Sequence, residues 1–142
     1  MRVVVAPDSF KGSLGAAEVC AAVAEGVRRA VPDAEVVAVP MADGGEGTLD
    51  CFLGALGGTE VVLDVTDPLG RPVRARYGLS GDGASAVVEL AAASGLPLLA
   101  DDERDAGRAD TAGTGLLVAD AIRRGAAEIL VCLGGSATTD GG

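Results

Sequence analysis

The chain has no histidine and no tryptophan, and only one lysine, Lys11, stands among its eleven basic residues. Without an imidazole, this chain can contain no His-based triad, His proton shuttle or imidazole metal site. Its aromatics are only Phe10, Phe52 and Tyr77, too few for a base-stacking platform. Positive charge is also scarce: 11 basic against 21 acidic residues leave a net charge of −10, which opposes attraction to nucleic-acid backbones and anionic lipid. Nucleic acid and membranes are therefore not expected as partners. A site for a small anion must be made locally positive by helix N-termini, backbone amides, a metal or a few cations. No apolar run approaches the roughly 20 residues of a membrane-spanning helix. Cys20, Cys51 and Cys132 are odd in number, form no CxxC and sit in apolar periodic runs. With no signal-peptide pattern, they read as free thiols of a reducing cytoplasm.

What is present is patterned. At 142 residues the chain has the common size of one domain, enough to bury roughly two-thirds of its unfolded surface. "RVVVA" (Arg2 to Ala6) reads as a buried strand, and "PDSFKGSL" as the loop after it. From Gly15 to Ala30, Val19, Val23 and Val27 recur at helical spacing with Glu18, Glu25, Arg28 and Arg29 pointing away, which predicts an amphipathic helix. Glu18 supplies half a capping box, and "VPD" ends the helix. "AEVVAVP" (Ala34 to Pro40) is the next strand. The loop "MADGGEG" then leads to a helix with Leu49, Phe52, Leu53 and Leu56 on one face, stopped by Gly57 and Gly58. Strand, helix, strand, helix at this spacing predicts a Rossmann-like parallel βαβ start, whose ligand loops leave the carboxyl ends of the strands.

Residues 59–108 change character. "TEVVLDVTD" and "RPVRARYGLS" alternate around the turn "PLGRP", and "ASAVVEL" follows "GDG", an antiparallel meander with one wet face. The expected organisation is an incomplete α/β domain over 1–58 and 109–142, interrupted by a β-rich inserted subdomain over 59–108. A plain antiparallel extension of the same sheet is the alternative. From Thr111, Leu117, Val118, Ala121 and Ile122 point inward and Asp120, Arg123 and Arg124 outward, with Gly125 as the stop. "EILVCL" (Glu128 to Leu133) is a buried strand feeding "GGSATTDGG".

Four loops offer chemistry, and they are expected to share one sheet edge. In "DGGE", Asp43 and Glu46 make a capping box for the second helix; beside the pair Gly44 and Gly45 they also have the chemistry to hold Mg²⁺ through water or take a hydroxyl proton. "PDSFKGS" gathers Asp8, Ser9, Lys11 and Ser13 at a helix start, either as solvated loop residues or as an anion contact for the one lysine. "TAGTG" and "GGSATTDGG" place backbone amides at helix starts in the manner of phosphate cradles, without the GK[ST] of a Walker A loop.

The ordered set "VVVAPDSFKGSL", "MADGGEGT", "DPLGRPV", "AAASGL", "GTG" and "LGGSATTDGG" resembles the N-terminal part of the type 1 glycerate kinase family, across the whole chain. The resemblance implies an α/β nucleotide-binding-like domain interrupted by a β-rich swivelling domain, and transfer of the ATP γ-phosphate to D-glycerate, commonly at the 2-hydroxyl. It also implies that the chain is a truncated N-terminal portion. Gly15, where a Ser often caps the helix, and Ala112 and Leu116 around "GTG" depart from the pattern. On this resemblance Asp43, or failing it Asp8, orients the hydroxyl, and Lys11 contacts the glycerate carboxylate or the phosphate in transfer. Ser9, Arg71, Gly44 and Gly45 bind substrate, Arg71 as a clamp, although a turn arginine is also commonly just solvated. Gly113, Thr114, Gly115, Gly134, Gly135, Ser136, Thr138, Gly141 and Gly142 face the nucleotide, and Asp140 and Glu46 hold Mg²⁺. The alternatives are a non-catalytic nucleotide- or organic-acid-binding module and an inactive structural fragment.

Overall fold

Strand β1 (Arg2–Val5) pairs in parallel with β2 (Glu35–Ala38), in the register Arg2 with Glu35 through Val5 with Ala38. Helix α1 (Ala16–Ala30) connects them, so the predicted βαβ start is present. The computed structural model describes residues 1–140, in two compact units, the first Met1–Asp43 and the second beginning at Gly44.

In the first unit the amide of Gly15 donates to Glu18 Oε2 at 2.8 Å, the half capping box expected of a helix start without a hydroxyl. α1 is capped at Val31, whose backbone has left the helical region (φ −135°, ψ 85°), as expected of a residue before proline. Ala16, Val19, Cys20 and Ala24 are buried, but Val23, expected inward, is 45% exposed. A two-stranded sheet, its strands about 5 Å apart, is narrower than the roughly 10 Å helix it supports, so part of the apolar stripe stays uncovered.

The second unit runs α2 (Thr48–Leu56), β3 (Thr59–Thr66), β4 (Pro72–Leu79), β5 (Ser85–Glu89), α3 (Ala91–Ser94), two short 3₁₀ turns, α4 (Ala112–Arg123) and β6 (Glu128–Cys132). Its sheet has the order β3-β4-β5-β6. The first three strands form the expected meander, and β6 joins β5 in parallel, Ser85 opposite Glu128 through Glu89 opposite Cys132. Asp67 shapes the β3–β4 turn, its Oδ1 accepting the amides of Leu69 and Arg71 at 2.9 Å each. The division between units at 43/44 differs from the boundaries read from periodicity at 58/59 and 108/109. The β5–β6 ladder spans the second of these boundaries within one sheet, and such non-local pairing leaves no mark in local sequence.

The core joins Val65, Ala75, Tyr77, Ala86 and Val88 of the sheet to Ala93, Leu117 and Ala121 of the helices. Two residues of α4 exchange their expected roles. Ile122, expected inward, is 59% exposed, whereas the Asp120 side chain, expected outward, is only 15% exposed. The physical reason is Tyr77: fully buried, it needs a partner for its hydroxyl, and that hydroxyl donates to Asp120 Oδ2 at 3.0 Å. Arg123 and Arg124 complete the carboxylate's shell at 3.2 and 2.7 Å. Leu56, expected on the buried face of α2, is 67% exposed, and Leu49 carries that face.

Candidate functional site

A cavity of about 500 Å³ opens in the second unit between the start of α4 and the loop after β6. Its floor is apolar, from Leu90, Val118 and Val131, and its polar wall comes from Thr111, Thr114, Ser136, Thr138 and Asp140. The volume and the few convergent polar groups are those of a small-molecule site, typically about 300–1,000 Å³.

The two glycine-containing motifs meet here. Thr111, the N-cap of α4, donates both its amide and its hydroxyl to Asp140 Oδ2, at 2.8 and 3.1 Å. The next amide, of Ala112, goes to Asp110 Oδ1 at 3.0 Å. Ser136 Oγ lies 2.9 Å from Thr138 Oγ1 and accepts the Thr138 amide at 3.0 Å, closing the loop on itself. The loop is pinned from α3 and the 3₁₀ turn after it: Ala137 donates to the carbonyl of Ser94 at 2.9 Å, and Leu96 to that of Gly135 at 2.9 Å. Ser94 and Thr114, both buried, share a hydroxyl pair at 2.8 Å.

The glycines divide by role. Gly115 lines the cavity, and a Cβ on it would meet nothing within 4 Å. Gly113, expected beside it on the nucleotide, packs instead against β3, where a Cβ would fall 1.9 Å from the Thr66 carbonyl oxygen; its lack of a side chain serves close helix–sheet approach. Gly134 donates to the Gly44 carbonyl at 2.9 Å, and a Cβ on it would lie 2.5 Å from Gly45 Cα. Gly135 has φ +75°, which favours glycine at that turn. Gly141 and Gly142 lie outside the described residues.

The expected capping box of Asp43 and Glu46 is not what starts α2. The N-cap is Gly47, with φ 93° and no side-chain cap, and the helix amide of Leu49 is taken by Glu89 Oε1 at 2.8 Å. Glu46 is exposed. Glu89, buried at the end of β5, was missed from sequence. Its only signal there is a charge closing the apolar run "AVVEL". Burial first, and the negative charge of Glu89 second, raise the Cys132 thiol above its ordinary range, which makes Cys132 a poor nucleophile.

In the first unit, the loops after β1 and β2 both leave the carboxyl ends of parallel strands, and Met41 donates to the Pro7 carbonyl at 3.0 Å, bringing the Asp8 and Asp43 loops alongside. Asp8 Oδ1 accepts the Ser9 amide at 2.6 Å; Asp8, Lys11 and Asp43 are exposed and Ser9 is half-buried. Among the described residues the strands form two sheets, β1-β2 and β3 to β6, so the four loops do not share one sheet edge as expected. Arg71 donates to Asp67 Oδ2 at 2.5 Å, Glu103 Oε1 at 2.6 Å and the Leu98 carbonyl at 3.3 Å, which directs its charge along the turn. Desolvation raises the Asp67 carboxyl, but hydrogen bonds from the Arg71 backbone and side chain and from the Leu69 amide outweigh it and hold the group below the usual range.

A polar wall of hydroxyls with one carboxylate, over an apolar floor, makes this an α/β protein with a cavity of small-molecule size. A sequence model of the Glycerate kinase family matches residues 3–142, and the chain belongs to that family. It is similar to "Glycerate 2-kinase" of Escherichia coli (strain K12), 49% identical over 142 residues, which cover 100% of this chain and 37% of that protein. "Glycerate kinase" of Bacillus subtilis (strain 168) is 46% identical, with the same coverage. A crystal structure described as a glycerate kinase 2 of Salmonella typhimurium LT2 superimposes with a TM-score of 0.86 at 48% identity, over 100% of this chain and 38% of that one. The chain thus spans little more than a third of the length of these relatives.

Proposed function

We propose that the protein transfers the γ-phosphate of ATP to D-glycerate, at the 2-hydroxyl. The observation that carries this reading is the Thr111–Asp140 pair on the cavity wall, in a chain 49% identical to a protein named Glycerate 2-kinase. A helix N-terminus normally attracts phosphate, but here carboxylates already take its first two amides. A triphosphate and Asp140 repel one another unless a cation lies between them. That chemistry suits a magnesium nucleotide.

The donor set fits such an ion. Among the described residues there is no cluster of three or more His, Cys, Asp or Glu side chains able to hold a metal, but Mg²⁺ is ordinarily bound through one or two carboxylates, several waters and substrate phosphates. Asp140 would hold it, with Glu46 through water; when bound, the ion neutralises phosphate charge. On the nucleotide side Thr114, Gly115, Ser136 and Thr138 orient the phosphates, with Gly134 and Gly135 shaping the loop. On the acceptor side Asp43, or failing it Asp8, orients the glycerate hydroxyl and receives its proton, Lys11 balances the glycerate carboxylate or the phosphate in transfer, and Ser9, Gly44 and Gly45 supply the remaining contacts. Alignment and charge neutralisation, more than covalent chemistry, set the rate of such a transfer. Three cysteines outside any disulfide among the described residues suit a cytoplasmic setting, and among the described residues no helix is long and apolar enough to cross a membrane.

Coupled ADP release with D-glycerate on the full-length protein tests the reading. Asp43→Asn and Lys11→Ala are each expected to lower kcat/KM by at least about tenfold, or about 1.4 kcal/mol. Wild-type rates in both would overturn these two assignments, and calorimetric binding of ATP without turnover would make the protein a binding module.

A further inference from the structure

We infer that Glu89 is a positioning residue for the glycine loop Gly44–Gly47, which it sets by fixing the amide end of α2. Glu89 closes β5 and is 6% exposed. Its Oε1 accepts the Leu49 amide at 2.8 Å, across 40 residues of chain. Leu49 is the second residue of α2, and the N-cap, Gly47, brings no side chain to that end. A buried carboxylate is costly unless hydrogen-bonded, and the positive end of a helix dipole is the place that favours it. The sheet therefore supplies, from β5, the cap that the loop lacks.

The constraint continues toward the cavity. The loop held by α2 meets the turn after β6 backbone to backbone: the Gly44 carbonyl accepts the Gly134 amide at 2.9 Å, with no room for a side chain between Gly134 and Gly45. Two residues beyond Gly134 the same turn lines the cavity with Ser136, then Thr138 and Asp140. One carboxylate at the end of a strand thus fixes a helix start, the helix start fixes Gly44–Gly47, and that loop braces the turn that forms the polar wall. Small displacements of such elements are costly to phosphoryl transfer, which depends on alignment. The kinetic consequence rests on the proposed kinase reading; the fixing of α2 does not.

The test uses the full-length protein with Glu89→Gln, which keeps an acceptor oxygen at the same reach, and Glu89→Ala, which removes it. Should Glu89→Ala fail to fold, Glu89→Asp withdraws the acceptor by one methylene and takes its place. Amide hydrogen exchange at Leu49 is expected to rise about tenfold or more in Glu89→Ala and to stay within about threefold of wild type in Glu89→Gln. The glycerate KM is expected to rise about tenfold in Glu89→Ala and to be largely restored in Glu89→Gln. Unchanged Leu49 exchange in Glu89→Ala overturns the inference. So does an equal loss of turnover in both variants while Glu89→Gln keeps Leu49 protected, since the charge itself would then be the acting feature. A wild-type protein that releases no ADP would sink the kinase reading and leave the exchange result to decide the positioning.

Discussion

Asp140 and Thr111, 29 residues apart, are joined twice: one carboxylate oxygen accepts both the amide and the hydroxyl of the threonine, at 2.8 and 3.1 Å. The loop after β6 is thereby tied to the first turn of α4, with both partners on the cavity wall. Asp140→Ala leaves the α4 N-cap without its acceptor, and a stability loss of about 1–2 kcal/mol is expected. If Asp140 also faces Mg²⁺, kcat/KM falls much further than stability does. Asp140→Asn keeps an acceptor for Thr111 but not the charge, so melting temperature near wild type with activity still lost is the expected pattern. Full activity in Asp140→Asn would restrict Asp140 to a cap.

Two glycines of one motif give opposite expectations. In Gly113→Ala the new Cβ would fall 1.9 Å from the Thr66 carbonyl, and this overpacking against backbone should cost about 1–3 kcal/mol or more. Gly115→Ala meets nothing and should leave stability equal or higher by up to about 1 kcal/mol, the helix-propensity gain of alanine, while raising the KM for ATP. Denaturant melts of both variants check the contrast, and equal stability in the two would show that Gly113 does not pack against β3 as described.

The acid limb of stability should follow Asp120 and Asp67. The hydrogen bond from Arg124 is the chief force holding Asp120 low, with desolvation opposing it and Tyr77 and Arg123 adding to it; Asp67 is also held below the usual range. A carboxylate lowered in the folded state stabilises above its unfolded value, about 3.9, and loses that contribution as pH falls through the folded value. Melting temperature should therefore drop below about pH 4, less steeply in Asp120→Asn. On the alkaline side, burial and then the bond to Asp120 push Tyr77 up to about 12. Its contribution is complete below the ordinary tyrosine value of about 10 and is lost as pH rises through the folded one, and Tyr77→Phe should remove that limb.

Arg71 tests whether a turn cation serves the fold or the substrate. Its ion pairs with Asp67 and Glu103 predict that Arg71→Ala lowers the melting temperature, modestly because the guanidinium is half-exposed and screened by water. A raised glycerate KM with unmoved melting temperature would give Arg71 to the substrate instead.

What could be read in advance follows the range of the forces involved. The periodic stretches at Gly15–Ala30 and from Thr111, the β1–β2 strand pattern and the 59–89 meander rest on local patterning, and each forms the element expected of it. The convergence of "TAGTG" and "GGSATTD" on one cavity was readable because both are turns at strand and helix ends. The start of α2 was not: local spacing offers Asp43 and Glu46, but the cap comes from Glu89, 40 residues from Leu49. The inward turn of Asp120 likewise depends on a tyrosine 43 residues away, and β6 joins the meander by pairing across α4. In each case a partner distant in sequence outweighed the local preference.

The central claim is the making of a phosphate ester at a glycerate hydroxyl, and ³¹P NMR of the full-length protein with ATP, Mg²⁺ and D-glycerate reads that bond directly. A new phosphomonoester signal growing in step with ADP, split into a doublet by the single hydrogen on C2, is the expected result. A triplet would move the reaction to the 3-hydroxyl, whereas inorganic phosphate alone, or no new signal, would contradict the account.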